Sequence, residues 1–417
     1  MTTAIAATLA NPRNARLLKT GWQLLLVLVA SLYLVRQASD GPYGKDFTIF
    51  VTGAHILTSG QGADLYDLTT QAEVQRDLGG GVRYPGGVLP FNYPPYVAML
   101  FTPLSWVPPD VAYYLWIAIL WGVLLVLALS IRARYLRWQG GPMPPIYLLA
   151  LFSFVPIYEA LLMGQMSLVL LALWWWVFSA WRQQNWAQLG LAVGLAAFKP
   201  QMVILLCVAL LVQKHWRALL YAALTQLALW GAAVLLAGPK ILTSYIGMLQ
   251  VSSTTTGSLG FSPEAMPNLR GLLTMTGLPP GLVLQLAMLS WLLSIAAVAL
   301  VWRAPWPLPT RFGITALLAV ILSPHLYIHD ASLLILAVIC AFLAHAERGA
   351  TPNTHWLLVS FALLFAGIYS VIFSRASYAF VILSMVLFAI LLLVSLLHTI
   401  APKTASRPLP KPSPGEV

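Results

Sequence analysis

A few polar and charged side chains stand between long apolar stretches of the sequence, and these residues could do chemistry. Asp46 follows GPYGK and precedes a helical pattern. A carboxylate there could accept a proton from a substrate hydroxyl, as a general base does. It could equally cap the first turn of the helix, since aspartate favours helix N-termini. Position alone does not choose between the two interpretations.

Two cations and a neighbouring amide form a second group of candidates. Lys199, in AAFKPQ, lies between two apolar runs, and the proline that follows breaks the helix. Charges near membrane depth are usually functional, although a lysine can also extend towards the interface. We favour a functional role, to which Gln201 adds a polar group. Arg270, in MPNLRGLL, invites an anionic partner because a guanidinium binds carboxylate or phosphate through paired hydrogen bonds.

The segment SPHLYIHD places two histidines four residues apart. On a helix, His325 and His329 would face the same side, which could suit a metal ion. No acid of the HExxH type completes that set, and Pro324 disturbs the start of a helix, so we predict no metal site. Contact with a phosphate or a sugar is favoured. The structural alternative is a hydrogen-bonded turn at the membrane interface.

Two weaker candidates complete the set. Gln165, in LLMGQMS, lies in a short polar connection, and Tyr93, in FNYPPYVAML, starts a broken helix beside an acid-rich loop. Gln165 could instead satisfy local backbone groups, and the prolines after Tyr93 are a common way to begin a helix. The sequence contains no P-loop, GxSxG or GxGxxG motif, and we expect no cofactor.

The elements that must position these residues are membrane helices. Hydrophobic residues make up 59% of the 417, and charged residues only 8%, against about 25% in an ordinary globular domain. A soluble chain of this composition could not cover its core with polar surface. The net charge of +11 does not indicate nucleic acid as a partner, because the basic residues stand at the ends of apolar runs.

The pattern predicts an all-α polytopic membrane protein with about twelve transmembrane helices, within a range of eleven to thirteen. The stretch 94–107 is short and proline-rich, and we interpret it as a broken or re-entrant piece. The spans are predicted at 22–35, 111–131, 146–160, 167–181, 187–198, 201–213, 218–238, 281–302, 311–323, 331–344, 355–373 and 377–398.

The chain is interpreted as one transmembrane domain, 1–400, followed by a disordered cytoplasmic tail at 401–417, which is proline-rich. The first outer loop, 37–93, contains two stretches that we predict to be amphipathic helices on the membrane surface. They lie at 47–59 and 69–78.

The basic residues sort the helix ends into two sets. One set lies on the side that the positive-inside rule assigns to the cytoplasm; it comprises Arg182, Lys214, Arg217, Arg303, Arg311 and Arg348. The candidate residues then share the opposite side. Because irregular backbone at membrane depth is tolerated only where it is buried or lines a cavity, we predict a cavity that opens on that side.

The order of several motifs resembles a known family. The motifs are DF, LTSGQGADLYD, YPPYVAMLFTPLSWVPP, GQMS, FKPQ and SPHLYIHD, spread over about 46–330. Together they resemble the GT-C glycosyltransferases of family 87, to which the actinobacterial polyprenyl-phosphate-mannose-dependent α-1,2-mannosyltransferases belong. The chain departs from the family's GQ-x-N pattern, because Ser167 stands where the asparagine is expected.

The resemblance implies a GT-C fold and an inverting glycosyltransferase in the bacterial plasma (inner) membrane. Such an enzyme moves a hexose, here expected to be mannose, from a polyprenyl-phosphate donor to a hydroxyl of a glycolipid or glycan acceptor, on the non-cytoplasmic face and among membrane lipids. It implies that Asp46 is the general base and that no metal is needed. Donor phosphate or sugar contacts are expected from Lys199, Arg270, His325, His329, Gln165, Gln201 and Tyr93.

A secondary transporter of a small polar or anionic solute is the alternative from a different class. It would also have many spans and helices interrupted by glycine and proline. A transporter predicts ionisable residues at the membrane midplane and paired inverted repeats. In this sequence the charges stand at span ends and one loop is disproportionately acidic, so the enzyme is favoured.

Overall fold

The computed structural model describes residues 46–79, 87–140, 151, 154–254, 262–348 and 378–400. In these ranges the chain is helical and contains no strand. The helices are α1 (Phe47–Thr58), α2 (Leu68–Leu78), α3 (Pro95–Phe101), α4 (Pro109–Gln139), α5 (Val155–Met163), α6 (Ser167–Arg182), α7 (Trp186–Ala196), α8 (Pro200–Val212), α9 (Trp216–Ala237), α10 (Lys240–Thr254), α11 (Leu269–Met275), α12 (Pro280–Arg303), α13 (Leu308–Ile321), α14 (Leu334–Glu347) and α15 (Tyr378–His398).

Five helices in the described ranges are long and apolar enough to cross a membrane. They are α4, α9, α12, the stretch Ile328–Glu347 that ends with α14, and Val381–His398 of α15. This confirms the coarse expectation of an all-α polytopic membrane protein. The count of about twelve spans and the GT-C fold stay predictions. The predicted spans at 22–35 and 355–373, most of 146–154 and the tail lie outside the described residues.

The first helix of the outer loop is buried, so its prediction as an amphipathic surface helix is wrong. Nine of the twelve residues of α1 are buried, on every side of the helix. Its aromatic side chains explain this, since Phe50 stacks on Phe101 of α3 with ring centroids 4.6 Å apart. By contrast, α2 buries only two residues, both glutamines. Burial of α1 holds Asp46, just before it, against the bundle.

The stretch 239–280, which lies between the predicted spans 218–238 and 281–302, contains the two helices α10 and α11. In α10, Ile241, Tyr245 and Met248 recur at helical spacing and are buried. Apolar residues at this spacing are typical of an amphipathic helix, but the many Ser and Thr residues around them make the pattern hard to recognise in the sequence. Because α10 packs against α9, this helix forms a wall of the bundle.

The turns between the helices separate into two groups at opposite ends of the bundle. At one end, Arg182 donates to Glu347 at 2.5 Å, and Arg311 lies over the Trp302 ring at 4.9 Å. At the other end, the turns that hold the candidate residues come together. The structure therefore reproduces the two sets that the basic residues define in the sequence.

Two glycines in α7 allow an unusually close approach to α9. A Cβ at Gly190 would lie 2.2 Å from the backbone oxygen of Ala218, and a Cβ at Gly194 would lie 2.6 Å from Cβ of Thr225. Small residues four apart are a common basis of helix packing in membranes, where van der Waals contact replaces the hydrophobic effect. This contact fixes α7, whose end carries the turn with Lys199.

We expect Gly190→Ala to lower the thermal stability of the detergent-solubilised protein. The added methyl group meets backbone, which cannot rotate away, and overpacking of this kind costs about 1–3 kcal/mol. The matched control is Gly231→Ala in α9, where a Cβ would meet nothing within 4 Å and the helix propensity of alanine is higher. Equal unfolding temperatures for the two variants would contradict the close contact.

Candidate functional site

A cavity of about 290 Å³ lies where the turns of one helix end meet. All eight residues that the sequence singled out line it: Asp46, Tyr93, Gln165, Lys199, Gln201, Arg270, His325 and His329. They are separated by up to 283 positions in the sequence, so the fold brings them together. The prediction of a shared cavity at one end of the bundle is confirmed in the described residues.

The Asp46 side chain does not cap the helix that follows it. Its backbone carbonyl accepts the first helical hydrogen bond, from the amide of Ile49 at 3.1 Å, but its carboxylate makes no capping bond. Instead, Gln165 Nε2 donates to Asp46 Oδ2 at 2.7 Å. The alternative interpretation of Asp46 as a capping acid is therefore wrong, and its carboxylate lines the cavity.

Gln165 lies in a tight turn that points its amide at Asp46. Gly164 ends α5 in the left-handed region, with φ of +63°. The backbone N–H of Gln165 donates back to the carbonyl of Ala160 at 2.8 Å. A glycine at this position is the usual way to end a helix. On the other side of the amide, the Tyr93 hydroxyl donates to Gln165 Oε1 at 2.9 Å.

Lys199 forms a buried ion pair. Its ammonium donates to Oδ1 of Asp330, and the two residues are only 6% and 2% exposed. Ser167 Oγ donates to the same oxygen at 2.5 Å, and His329 Nε2 lies 3.7 Å from it. Lys199 therefore does not extend to the membrane interface, which was the structural alternative for this residue.

Asp330 and Ser167 belong to the site but are not among the residues predicted from the sequence. Both belong to motifs that were noticed, SPHLYIHD and GQMS. The available signal was a lone buried cation at Lys199, since a charge in an apolar interior requires a partner of opposite sign. A search for a carboxylate in the neighbouring motifs would have found Asp330.

The two histidines do not share a helix face, so that expectation is wrong. The backbone before Ile328 is irregular, and a short 3-10 helix, Ile328–Leu333, begins there. The Tyr327 ring lies between the two imidazoles, with ring centroids 5.2 Å from His325 and 6.0 Å from His329. Burial lowers the pKa of His325 to about 4, so this imidazole is neutral at pH 7. In the described ranges no three His, Cys, Asp or Glu side chains are grouped to hold a metal ion.

Arg270 is a buried cation with spare hydrogen-bonding capacity. One guanidinium nitrogen donates to the carbonyl of Pro324 at 2.8 Å, while Nε is buried without a partner. In the described part of the chain it makes no ion pair with a carboxylate. A buried donor without a partner costs free energy, and an anion entering the cavity could satisfy it.

Gln201 connects the cavity to a neighbouring helix. Its side chain lies 3.5 Å from the His325 carbonyl, and its backbone carbonyl accepts a hydrogen bond from Trp291 Nε1 of α12 at 2.9 Å. Apolar residues of α10 and α12 form the rim of the cavity near this point. Of these, Leu249 is 41% exposed and Met288 is 39% exposed, so the lining continues onto the outer surface of the bundle.

We expect Asp330→Asn to destabilise the protein strongly. The change leaves the Lys199 ammonium buried without a carboxylate, which costs about 3–5 kcal/mol. The control is Asp64→Asn, because Asp64 pairs with Lys240 at 3.6 Å with both side chains more than half exposed, and such pairs contribute at most about 1 kcal/mol. Thermal unfolding in detergent measures both. A similar small shift for the two variants would contradict the role of the buried pair.

Comparison with known proteins identifies the family. The profile of glycosyltransferase family 87 matches residues 91–324, a range that includes Tyr93, Lys199 and Arg270 but not Asp46 or His329. A polyprenol-phosphate-mannose-dependent alpha-(1-2)-phosphatidylinositol pentamannoside mannosyltransferase from Mycolicibacterium smegmatis is 30% identical over 234 residues.

That alignment covers 55% of this chain and 52% of the relative, so the chain spans about half the length of the curated protein it matches. No solved structure matches. The profile match extends over more than half of the sequence and includes the cavity-lining turns at Gln165 and Lys199. The chain belongs to glycosyltransferase family 87.

Proposed function

We propose that the protein is an inverting glycosyltransferase that moves a hexose, mannose in our proposal, from a polyprenyl-phosphate donor to a hydroxyl of a glycolipid or glycan. The observation that carries this proposal is the pairing of two groups in one cavity. Asp46 offers a carboxylate held by a single amide, and Arg270 offers a cation without a carboxylate partner in the described residues. Family membership supports the same reaction class.

The chemistry is a single displacement at the anomeric carbon. Asp46 takes the proton of the acceptor hydroxyl while the hydroxyl oxygen forms the new glycosidic bond. The bond between the anomeric carbon and the phosphate oxygen breaks, and its electron pair leaves with the polyprenyl phosphate. Attack from the face opposite the phosphate inverts the configuration. The leaving phosphate gains one negative charge, which a nearby cation stabilises.

Arg270 is the residue that we assign to the phosphate. The charge of Lys199 is already balanced by Asp330, and His325 is neutral because burial lowers its pKa to about 4. Arg270 keeps a buried Nε without a partner, and the planar guanidinium suits a phosphate group. Lys199, His325, His329, Gln165, Gln201 and Tyr93 line the same cavity and stay candidates for donor or sugar contact.

The prenyl chain of such a donor would leave the cavity over its apolar rim. Leu249 of α10, with Leu284 and Met288 of α12, lines the cavity. The exposed parts of these side chains would face hydrocarbon, since α12 is long and apolar enough to span a membrane. We place the cavity on the non-cytoplasmic face of a bacterial plasma membrane, because the basic residues gather at the opposite end of the bundle.

We expect Asp46→Asn to reduce transfer at least about a hundredfold, the scale of losing a general base. The assay supplies radiolabelled polyprenyl-phosphate mannose and a lipid extract of the host membrane, and it counts label in products. The control is Asp110→Asn, because Asp110 is an exposed carboxylate at the start of α4, outside the cavity.

Unchanged transfer by folded Asp46→Asn would remove this residue from the mechanism. The same assay is repeated with polyprenyl-phosphate donors that carry arabinose, another pentose or another hexose. If wild-type protein transfers label from none of these donors, the proposed glycosyltransferase activity is contradicted. Accumulation of a solute in vesicles without transfer would support the transporter.

We expect Arg270→Lys to raise the KM for the donor about tenfold or more with a smaller change in kcat. Lysine keeps the positive charge but loses the fork of donors that fits a phosphate. Arg303→Lys, at the basic end of α12, is the matched control and should behave as wild type. A KM unchanged by Arg270→Lys would contradict the assignment of Arg270 to the phosphate.

A further inference from the structure

The carboxylate of Asp46 belongs to a chain of hydrogen bonds that runs back into the protein. Tyr93 donates to Gln165 Oε1 at 2.9 Å, and Gln165 Nε2 donates to Asp46 Oδ2 at 2.7 Å. Gln165 and Tyr93 are 4% and 8% exposed, so water does not compete well for either bond. The chain joins three segments of the sequence: the start of α1, the connection before α3 and the turn after α5.

The direction of this chain is set at the tyrosine. Burial raises the pKa of Tyr93 to about 12, so the hydroxyl keeps its proton at physiological pH and can donate it. A hydroxyl that donates to the glutamine must meet the amide oxygen. The amide nitrogen is then turned towards Asp46, where an amide oxygen would repel the carboxylate. Because an ionised carboxylate only accepts, Asp46 takes the amide nitrogen, and Asp46 and Tyr93 together fix the orientation of the Gln165 amide.

The consequence is that the two oxygens of Asp46 are not equivalent. Oδ2 is occupied by Gln165, and no other hydrogen bond to the carboxylate occurs among the described residues. A general base must present a lone pair to the proton within hydrogen-bonding distance. A carboxylate fixed at one oxygen keeps the other in a constant direction, which reduces the cost of reaching the reactive geometry.

We propose that Gln165 is a positioning residue: its side-chain amide, hydrogen-bonded to Tyr93, fixes the Asp46 carboxylate through Oδ2. Oδ1 of Asp46 is then left to take the proton of the acceptor hydroxyl. This inference rests on the proposed function. It assigns to Gln165 and Tyr93 a role different from the sugar contact expected from the sequence.

The groups that face Asp46 define what a pH experiment can report. They are Gln165 from the turn after α5, Tyr93 from the connection before α3, and Tyr327 and His329 from the segment after α13. Burial raises the pKa of Tyr327 to about 12. His329 is present in wild type, Gln165→Leu and Gln165→Glu, so a pH dependence confined to Gln165→Glu originates in the new carboxyl group.

The decisive variant is Gln165→Glu, assayed from pH 5 to pH 8. A glutamic acid that holds a proton can donate to Asp46 Oδ2 as the amide does. Two carboxylates this close share one proton over part of the pH range and lose it as the pH rises. We therefore expect the ratio of variant to wild-type kcat/KM to fall at least about tenfold from pH 5 to pH 8.

Three further variants separate the positioning role from a structural one. Gln165→Leu has no donor and should be reduced about tenfold or more at every pH, while Tyr93→Phe keeps the amide but frees its orientation and should be reduced several-fold. Gln188→Glu makes the same change at an exposed position near the opposite end of the bundle and should follow wild type. Thermal unfolding establishes that each variant is folded.

A ratio for Gln165→Glu that does not change with pH would overturn the proposal, as would a wild-type rate for folded Gln165→Leu. If Gln165→Glu does not fold, Gln165→Leu and Tyr93→Phe still decide the question. If Asp46→Asn retains activity, the proposed mechanism fails. If Asp46→Asn is inactive but the rate ratio for Gln165→Glu does not change with pH, only the positioning role of Gln165 fails.

Discussion

The buried ion pair between Lys199 and Asp330 is the interaction on which the rest of the site depends. Removing two charges from water is expensive, and the attraction between them repays this only when hydrogen bonds satisfy the remaining groups. Here Ser167 donates to the carboxylate that also accepts from Lys199. The pair thereby joins the end of α7, the start of α6 and the segment before α14. These are the elements that surround the cavity.

This pairing also decides which cation in the cavity is free to meet a ligand. If Lys199 stood alone, it would be the strongest anion site in the cavity, and Arg270 would be secondary. Asp330 reverses that order by balancing the lysine, while the donor set of Arg270 stays partly unused. Among the described lining residues, Arg270 is a cation without a carboxylate partner, and the proposed function assigns it to the phosphate and assigns Asp46 to the acceptor hydroxyl.

The sequence shows which polar residues belong to the cavity, but it does not show which of them contact one another. Apolar runs interrupted by Lys199, Arg270 or Gln165 mark positions where a polar group must have a reason to be present, and each of these side chains lines the cavity. The partner of Lys199 is 131 positions away, and no local pattern encodes such a distance. The helical spacing of His325 and His329 was misleading because Pro324 and the irregular backbone after it break the period. The aromatic side chains of α1 pack against neighbouring helices, so this short helix is buried in the core and does not lie on the membrane surface.

The short helices around the cavity explain why a charge is buried there at all. At 1.5 Å per residue, α7 and α8 span roughly 16 Å and 20 Å, whereas the hydrocarbon core is about 30 Å thick. Trp186 and Trp216 near the basic end suit the membrane interface. If both helices run perpendicular to the membrane from that interface, the turn with Lys199 ends roughly 10–14 Å short of the opposite one. A lysine at that depth needs Asp330, and a cavity at that depth brings polar groups within reach of a phosphate whose prenyl chain stays in the bilayer. In the proposed function, the same shortening that makes Lys199 costly would let a lipid-linked donor and a polar acceptor meet in one cavity.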